Sequence, residues 1–164
     1  MTELIVYLDS SAVAKRYVEE KGSDLVDRIY SGAETGGIQM AFSIWNVGEV
    51  LGVLDKYRAK RILSESEWRI SFRNLALEST KMLRLGALIV CPITSDALVD
   101  SWVVSIGSHI YQADALQIVS ARELGCGLLL TADGKLLEAA KSCGLRAFHV
   151  ESQADEVREA LEAG

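Results

Sequence analysis

Apolar positions in this chain fall into short continuous runs set between longer segments where they recur at helical spacing. Leu4–Leu8 (LIVYL) is a continuous run of β-formers, as expected of a strand buried on both faces. Ile38–Phe42 follows Gly36 and Gly37, Leu88–Cys91 is stopped by Pro92, Gly127–Leu130 reads GLLL, and Arg146–Val150 completes a set of five expected strands. Between them lie helical patterns. Ala12–Glu20 is offered caps by Ser10 and Ser11 and stopped by Gly22, and Ser23–Tyr30 follows. Ser43 can cap a long apolar helix from Ile44 to about Arg61, and Ser64 starts another reaching about Leu85. Further helices are expected from Thr94 to about Ile106, over Gln112–Leu124, over Lys135–Cys143 and over the polar Gln153–Ala163.

This alternation predicts an α/β fold: a central, mainly parallel sheet with helices on both faces. The consecutive helices at 44–85 are expected to project as a hairpin. No internal repeat, low-complexity tract or linker interrupts the chain, so residues 1–164 read as one domain.

Composition adds limits. A chain of 164 residues with 49% hydrophobic content can bury about 70% of its unfolded surface in one core. The three cysteines, Cys91, Cys126 and Cys143, form no CxxC pair and read as reduced thiols of a cytoplasmic protein. Glu3 and the short apolar run after it lack a signal-peptide layout. No apolar stretch approaches the ~18 residues a membrane span needs. The formal charge of −6 argues against bulk attraction to nucleic acid, yet leaves room for an enzyme whose bound cations meet a phosphate backbone.

Open α/β sheets place their ligands outside the carboxyl ends of the strands. Asp9 stands right after the first strand and Asp133 just after the fourth, although each could also cap the helix that follows. Glu49 is the only ionisable residue between Ser43 and Leu54. Ile44, Val47, Leu51 and Leu54 supply an apolar stripe, and Glu49 lies on roughly the opposite side, beside Trp45 and Val53. Its neighbours are apolar or glycine, so it should meet a cation or a hydrogen-bond partner. Asp114 starts a helix on the face of Ile118 and Ala121, where the helix dipole favours an inward carboxylate. Spacing alone would not select these four among 23 acidic residues.

The four segments are also familiar as a set. Asp9 in VYLDSSAVAKRYVEEKGS, Glu49 in FSIWNVGEVLGVL, Asp114 in ADALQIVSARELG and Asp133 in LLLTADGKLLEAAKSCGL resemble the PIN-domain family, and within it the VapC-type toxins of toxin–antitoxin pairs. The resemblance covers nearly the whole chain and is weakest at 56–85. It implies a three-layer sandwich around a five-stranded parallel sheet, and an Mg²⁺- or Mn²⁺-dependent endoribonuclease. Asp9 and Asp114 would be the main metal ligands, Asp133 would complete the pocket, and Glu49 would hold water. Ser10 or Ser11 and Thr131 match the small hydroxyl positions that orient the carboxylates. The family further implies a homodimer, an RNA substrate and an antitoxin whose tail blocks the active site.

The chemistry is consistent with that expectation. Two carboxylates about 5 Å apart repel by about 3 kcal/mol at an effective dielectric near 20, so four together need raised pKa values or a cation. Oxygen donors select a hard ion, and His109 and His149 form no zinc motif. The run Lys56-Tyr57-Arg58-Ala59-Lys60-Arg61 is the best local patch for RNA backbone or an acidic antitoxin segment, and equally suits a helix C-terminus. Two other readings stay open. One is a metal-binding phosphoacceptor of the receiver type, which needs its acceptor Asp at the end of a middle strand. The other is a catalytically idle PIN-like module kept for protein interaction.

Overall fold

A computed structural model describes residues 4–163, so Glu3 lies outside the described residues. Five strands form one sheet: β1 (Ile5–Leu8), β2 (Gln39–Ser43), β3 (Leu88–Cys91), β4 (Leu128–Thr131) and β5 (Ala147–His149). All pairings are parallel, in the order β3-β2-β1-β4-β5. The helices are α1 (Ser10–Ala14), α2 (Ser23–Glu34), α3 (Ile44–Ala59), α4 (Glu65–Arg84), α5 (Ser95–Ser108), α6 (Gln112–Glu123), α7 (Gly134–Ser142) and α8 (Ala154–Glu162).

The period of two along each strand sorts side chains onto two faces. Val6, Leu8, Met40, Phe42, Leu128 and Leu130 point to one side, where they pack with Leu25 and Ile29 of α2, Val50 and Leu54 of α3, Leu75 and Met82 of α4 and Val157 of α8. Tyr7, Ala41, Leu129 and Ala147 point to the other, against Ile118 and Ala121 of α6 and Leu136 and Ala140 of α7. Because both faces are covered, the strands are continuously apolar, which is why they were legible as runs.

Three local expectations need correction. The first helix ends at Ala14, not near Glu20. Beyond it the backbone tightens into short turns, with Lys15, Arg16 and Tyr17 donating to Ala12, Val13 and Ala14. Lys15 is drawn under to Glu20 and Glu151 at 3.2 and 2.6 Å, which helical continuation would not permit. Gly22, at φ +90°, caps α2, and a Cβ there would stand 3.0 Å from the Val150 carbonyl oxygen. The buried line of α3 is Asn46, Val50 and Leu54, whereas Ile44, read as part of its apolar stripe, is 54% exposed. Finally, α3 and α4 pack on each other and drive Val50, Leu54, Leu75 and Met82 into the core, so the hairpin is anchored to the sheet.

The order of the strands matters most for function. Chain progress runs from β1 outward to β3, then restarts on the other side of β1 with β4 and β5. The β1/β4 boundary is therefore the switch point of the sheet, the crevice where open α/β folds hold their ligands. No described helix is long and apolar enough to cross a membrane.

Candidate active site

Asp9 sits at that boundary. Its backbone N–H donates to Leu130 at 3.1 Å, continuing the ladder one step past β1, and its side chain caps α1. Oδ1 accepts from the Ala12 N–H at 2.8 Å and from the Ser11 hydroxyl at 2.7 Å, while Oδ2 accepts from Thr131 Oγ1 at 2.7 Å. Those hydroxyls are themselves fixed by backbone donors: Ala132 N–H to Ser11 at 2.8 Å and Asp133 N–H to Thr131 at 2.9 Å. The capping role and a site role thus fall on one residue. Burial raises the Asp9 pKa; the three hydrogen bonds pull it back, Asp133 adds repulsion, and the balance lies at about 6.

Glu49 lies midway along α3, half-buried. Its Oε2 accepts from Gln117 Nε2 at 2.8 Å and from the Ser10 hydroxyl, and its Oε1 has no protein donor among the described residues. Ser10 and Ser11 therefore divide the work expected of one hydroxyl position: Ser11 serves Asp9 and Ser10 serves Glu49. Asp114, in the first turn of α6, is half-buried and takes no hydrogen bond from a described residue. Burial pushes it up to about 6, with repulsion from Asp133 and then Glu49 adding, and Lys135 working against them. Asp133 is exposed, and its Oδ1 accepts from the N–H groups of Lys135 and Leu136 at 2.7 and 3.1 Å, so its capping role is real.

The structure thus brings the quartet into one electrostatic neighbourhood. Asp133 is felt at Asp9 and at Asp114, and Glu49 is felt at Asp114. It is not a closed cage: among the described residues, no three His, Cys, Asp or Glu side chains stand close enough to hold one ion. In kind, the donor set fits a hard divalent cation, since each group offers oxygen and two are raised by burial and mutual repulsion that a cation would relieve.

Four further residues went unread in the sequence. Gln117 and Asn46 are buried, as is Tyr7, whose hydroxyl lies 2.8 Å from Gln117 Oε1 and 3.1 Å from Asn46 Oδ1. Asn46 in turn caps α3 reciprocally with Ser43 and donates to the Leu8 carbonyl at 3.2 Å. The available signal was an amide inside a helix whose residues 113 and 115–121 are all buried. Lys135 is the fourth, a cation set beside Asp133 and lining a groove of about 590 Å³ with His109 and Ser108.

The basic run is not gathered to the site. Lys56, Arg58, Lys60 and Arg61 are exposed at the far end of α3, and Arg58 lies nine positions beyond Glu49, about 13.5 Å along the axis. Arg58 is already engaged with Asp55 and Glu65 and stacked 4.9 Å over Trp68. His109 ends α5 in a left-handed conformation, and His149 Nδ1 accepts from the Glu151 N–H, so neither imidazole joins the carboxylates.

No family model matches the chain, and no curated protein matches it in sequence. Solved structures do match in shape. PAE2754 from Pyrobaculum aerophilum superposes with a TM-score of 0.62 at 18% identity, covering 99% of this chain and 100% of that one. VapC20 from Mycobacterium tuberculosis, a toxin that cleaves the sarcin–ricin loop, gives 0.60 at 14% identity over 85% of this chain and 95% of its own. FitAcB from Neisseria gonorrhoeae gives 0.59 at 15% identity over 88% and 97%. The fold is the PIN-like sandwich that the sequence resemblance implied.

Proposed function

We propose that this chain is an Mg²⁺- or Mn²⁺-dependent endoribonuclease acting as the toxin of a toxin–antitoxin pair. The observation that carries the reading is that Asp133 acts on both Asp9 and Asp114, and Glu49 on Asp114, with Asp9 and Asp114 each raised to about 6. The likeness to VapC20 supports RNA as substrate.

Asp9, Asp114 and Asp133 would hold the ion, which when bound neutralises charge on the phosphodiester oxygens and makes water more acidic. Around it, the chain's own groups do defined work. Ser11, Thr131 and the Ala12 N–H hold Asp9 with both oxygens aligned. Glu49, with Oε2 occupied, offers Oε1 to accept from the attacking water and take its proton. Asp133 spends one oxygen on its cap and keeps the other for the site. Lys135, whose charge is felt at Asp114, is the cation placed to meet an RNA phosphate.

Partners of the kind proposed, an antitoxin and a second copy, need apolar surface. The chain exposes Val99, Trp102, Val103 and Ile106 on α5, and an apolar groove of about 250 Å³ runs between α3 and α4, lined by Ile44, Leu51, Phe72 and Leu83.

The receiver-type reading loses ground. A receiver sheet runs 2-1-3-4-5, whereas this one runs β3-β2-β1-β4-β5. Cleavage of RNA by the purified chain with Mg²⁺ or Mn²⁺ tests the proposal, against chelator and Asp114→Asn. Cleavage that survives chelation, or none with either ion, would reject it; the latter outcome would leave an idle interaction module.

A further inference from the structure

The polar groups beneath Glu49 have no part in the roles above, and their arrangement has a direction. Glu49, when ionised, only accepts, so the Gln117 group 2.8 Å from its Oε2 must be the amide nitrogen. That places Gln117 Oε1 against the Tyr7 hydroxyl at 2.8 Å. The hydroxyl has one proton and two acceptors in reach. Asn46 Oδ1, the longer contact at 3.1 Å, already accepts from the Ser43 N–H at 2.9 Å and the Ser43 hydroxyl at 2.6 Å. Gln117 Oε1 has no other donor among the described residues, so the proton goes there. Tyr7 is fully buried on the central strand, where burial pushes its phenol up and keeps it a donor. Gln117 is 2% exposed and its contact with Tyr7 is buried, so water does not compete there.

We propose that Tyr7 and Gln117 are positioning residues: the Tyr7 hydroxyl turns the Gln117 amide so that its nitrogen holds Glu49 Oε2, leaving Oε1 as the oxygen presented to water. Ser10 grips the same Oε2 from α1, so the carboxylate is pinned from both sides. The chain of contacts runs from the core of the sheet to the reacting carboxylate without meeting Asp9 or Asp114. The inference rests on the reading of Glu49 as the water-side carboxylate.

Its test uses the full chain and two readouts. In ¹⁵N–¹H spectra, the Gln117 side-chain amide, assigned by its loss in Gln117→Leu, is expected to be well dispersed and protected. Tyr7→Phe and Glu49→Ala should each shift it and speed its exchange by about tenfold or more, as loss of a hydrogen bond to a buried or charged partner implies. An amide unmoved by either substitution overturns the proposal, whether or not the protein cuts RNA. Glu49 is only half-buried, so Glu49→Ala keeps this test standing if Tyr7→Phe loosens the core.

In RNA cleavage, Gln117→Leu and Tyr7→Phe should each lower kcat by about tenfold and leave KM within about twofold, consistent with one misdirected charged hydrogen bond. Combined with each other, or placed in a Glu49→Ala background, they should add little, because residues acting through one group are not additive. Additive losses would overturn the assignment. Absence of cleavage in the unsubstituted protein would instead sink the nuclease reading and leave the amide measurement to decide the positioning.

Discussion

Thr131, the last residue of β4, donates its hydroxyl to Asp9 Oδ2 across the switch point at 2.7 Å, and accepts from the Asp133 N–H at 2.9 Å. One buried hydroxyl therefore ties two of the four carboxylate-bearing residues together. Thr131→Val keeps the volume but leaves Asp9 Oδ2 only the shared Ser11 hydroxyl at 2.9 Å and takes the acceptor from the Asp133 N–H, and should cost about 1–3 kcal/mol in urea unfolding. Thr131→Ser should restore most of it. Equal stability of the valine and serine variants would show that the bond contributes nothing.

Asp114 takes no hydrogen bond from a described residue, so its carboxylate has little structural duty. Asp114→Asn should leave the melting temperature within a few degrees of the parent and lower RNA cleavage by about a hundredfold or more, as loss of a charge-stabilising ligand does. A fully active variant would remove Asp114 from the site.

Burial raises Asp9 to about 6, above the value of about 3.9 for an unfolded aspartate. A raised acid means the folded chain binds the extra proton, so its contribution to stability is full below about pH 4 and is lost as pH rises towards 6. The metal-free protein should therefore lose stability across that window, and Asp9→Asn should flatten the loss. Mg²⁺ or Mn²⁺ needs the ionised form, so its effect on the melting temperature should grow from pH 5 to pH 7.5. A metal shift that is equal at both would refute this linkage.

Lys135 offsets the carboxylates at Asp114, and Arg58 is held by two acids and a ring. In an Asp114→Asn background, Lys135→Met should weaken RNA binding and reduce the salt slope by about 0.7, the loss of one single-strand phosphate contact. Arg58→Ala should instead register as lost stability, through Trp68. The reverse pattern would return the basic run at Lys56–Arg61 to the RNA path.

What the sequence disclosed follows from how each feature is encoded. Strands buried on both faces leave continuous apolar runs, so LIVYL and GLLL located β1 and β4 within a residue. Asp9 and Asp133 were legible because they follow those runs directly. Glu49 was legible as a charge among apolar neighbours; of the stripe read for its helix, Val47, Leu51 and Leu54 pack on the core, while Ile44 faces out and Asn46 faces in. The early end of α1 was hidden: the residue that follows it, Lys15, meets Glu151, 136 positions away, a contact no local pattern encodes. Tyr7 and Gln117 were hidden for a similar reason. Each sits in a pattern that reads as plain core, and only tertiary placement supplies its polar partner.

The adjacency of β1 and β4 also fixes how much of the chain the pocket needs. Asp9 and Glu49 precede the groups that hold them: the hydroxyl on Asp9 Oδ2 is Thr131, 122 positions on, and the amide on Glu49 is Gln117, 68 positions on. Without β4, β1 would have β2 on one side and an open flank on the other. A fragment that stops before Gln117 therefore carries Asp9 and Glu49 without those partners. Under the proposed function, such a fragment should cut no RNA even where β1, β2 and α3 form, so the site is divisible in sequence but not in space.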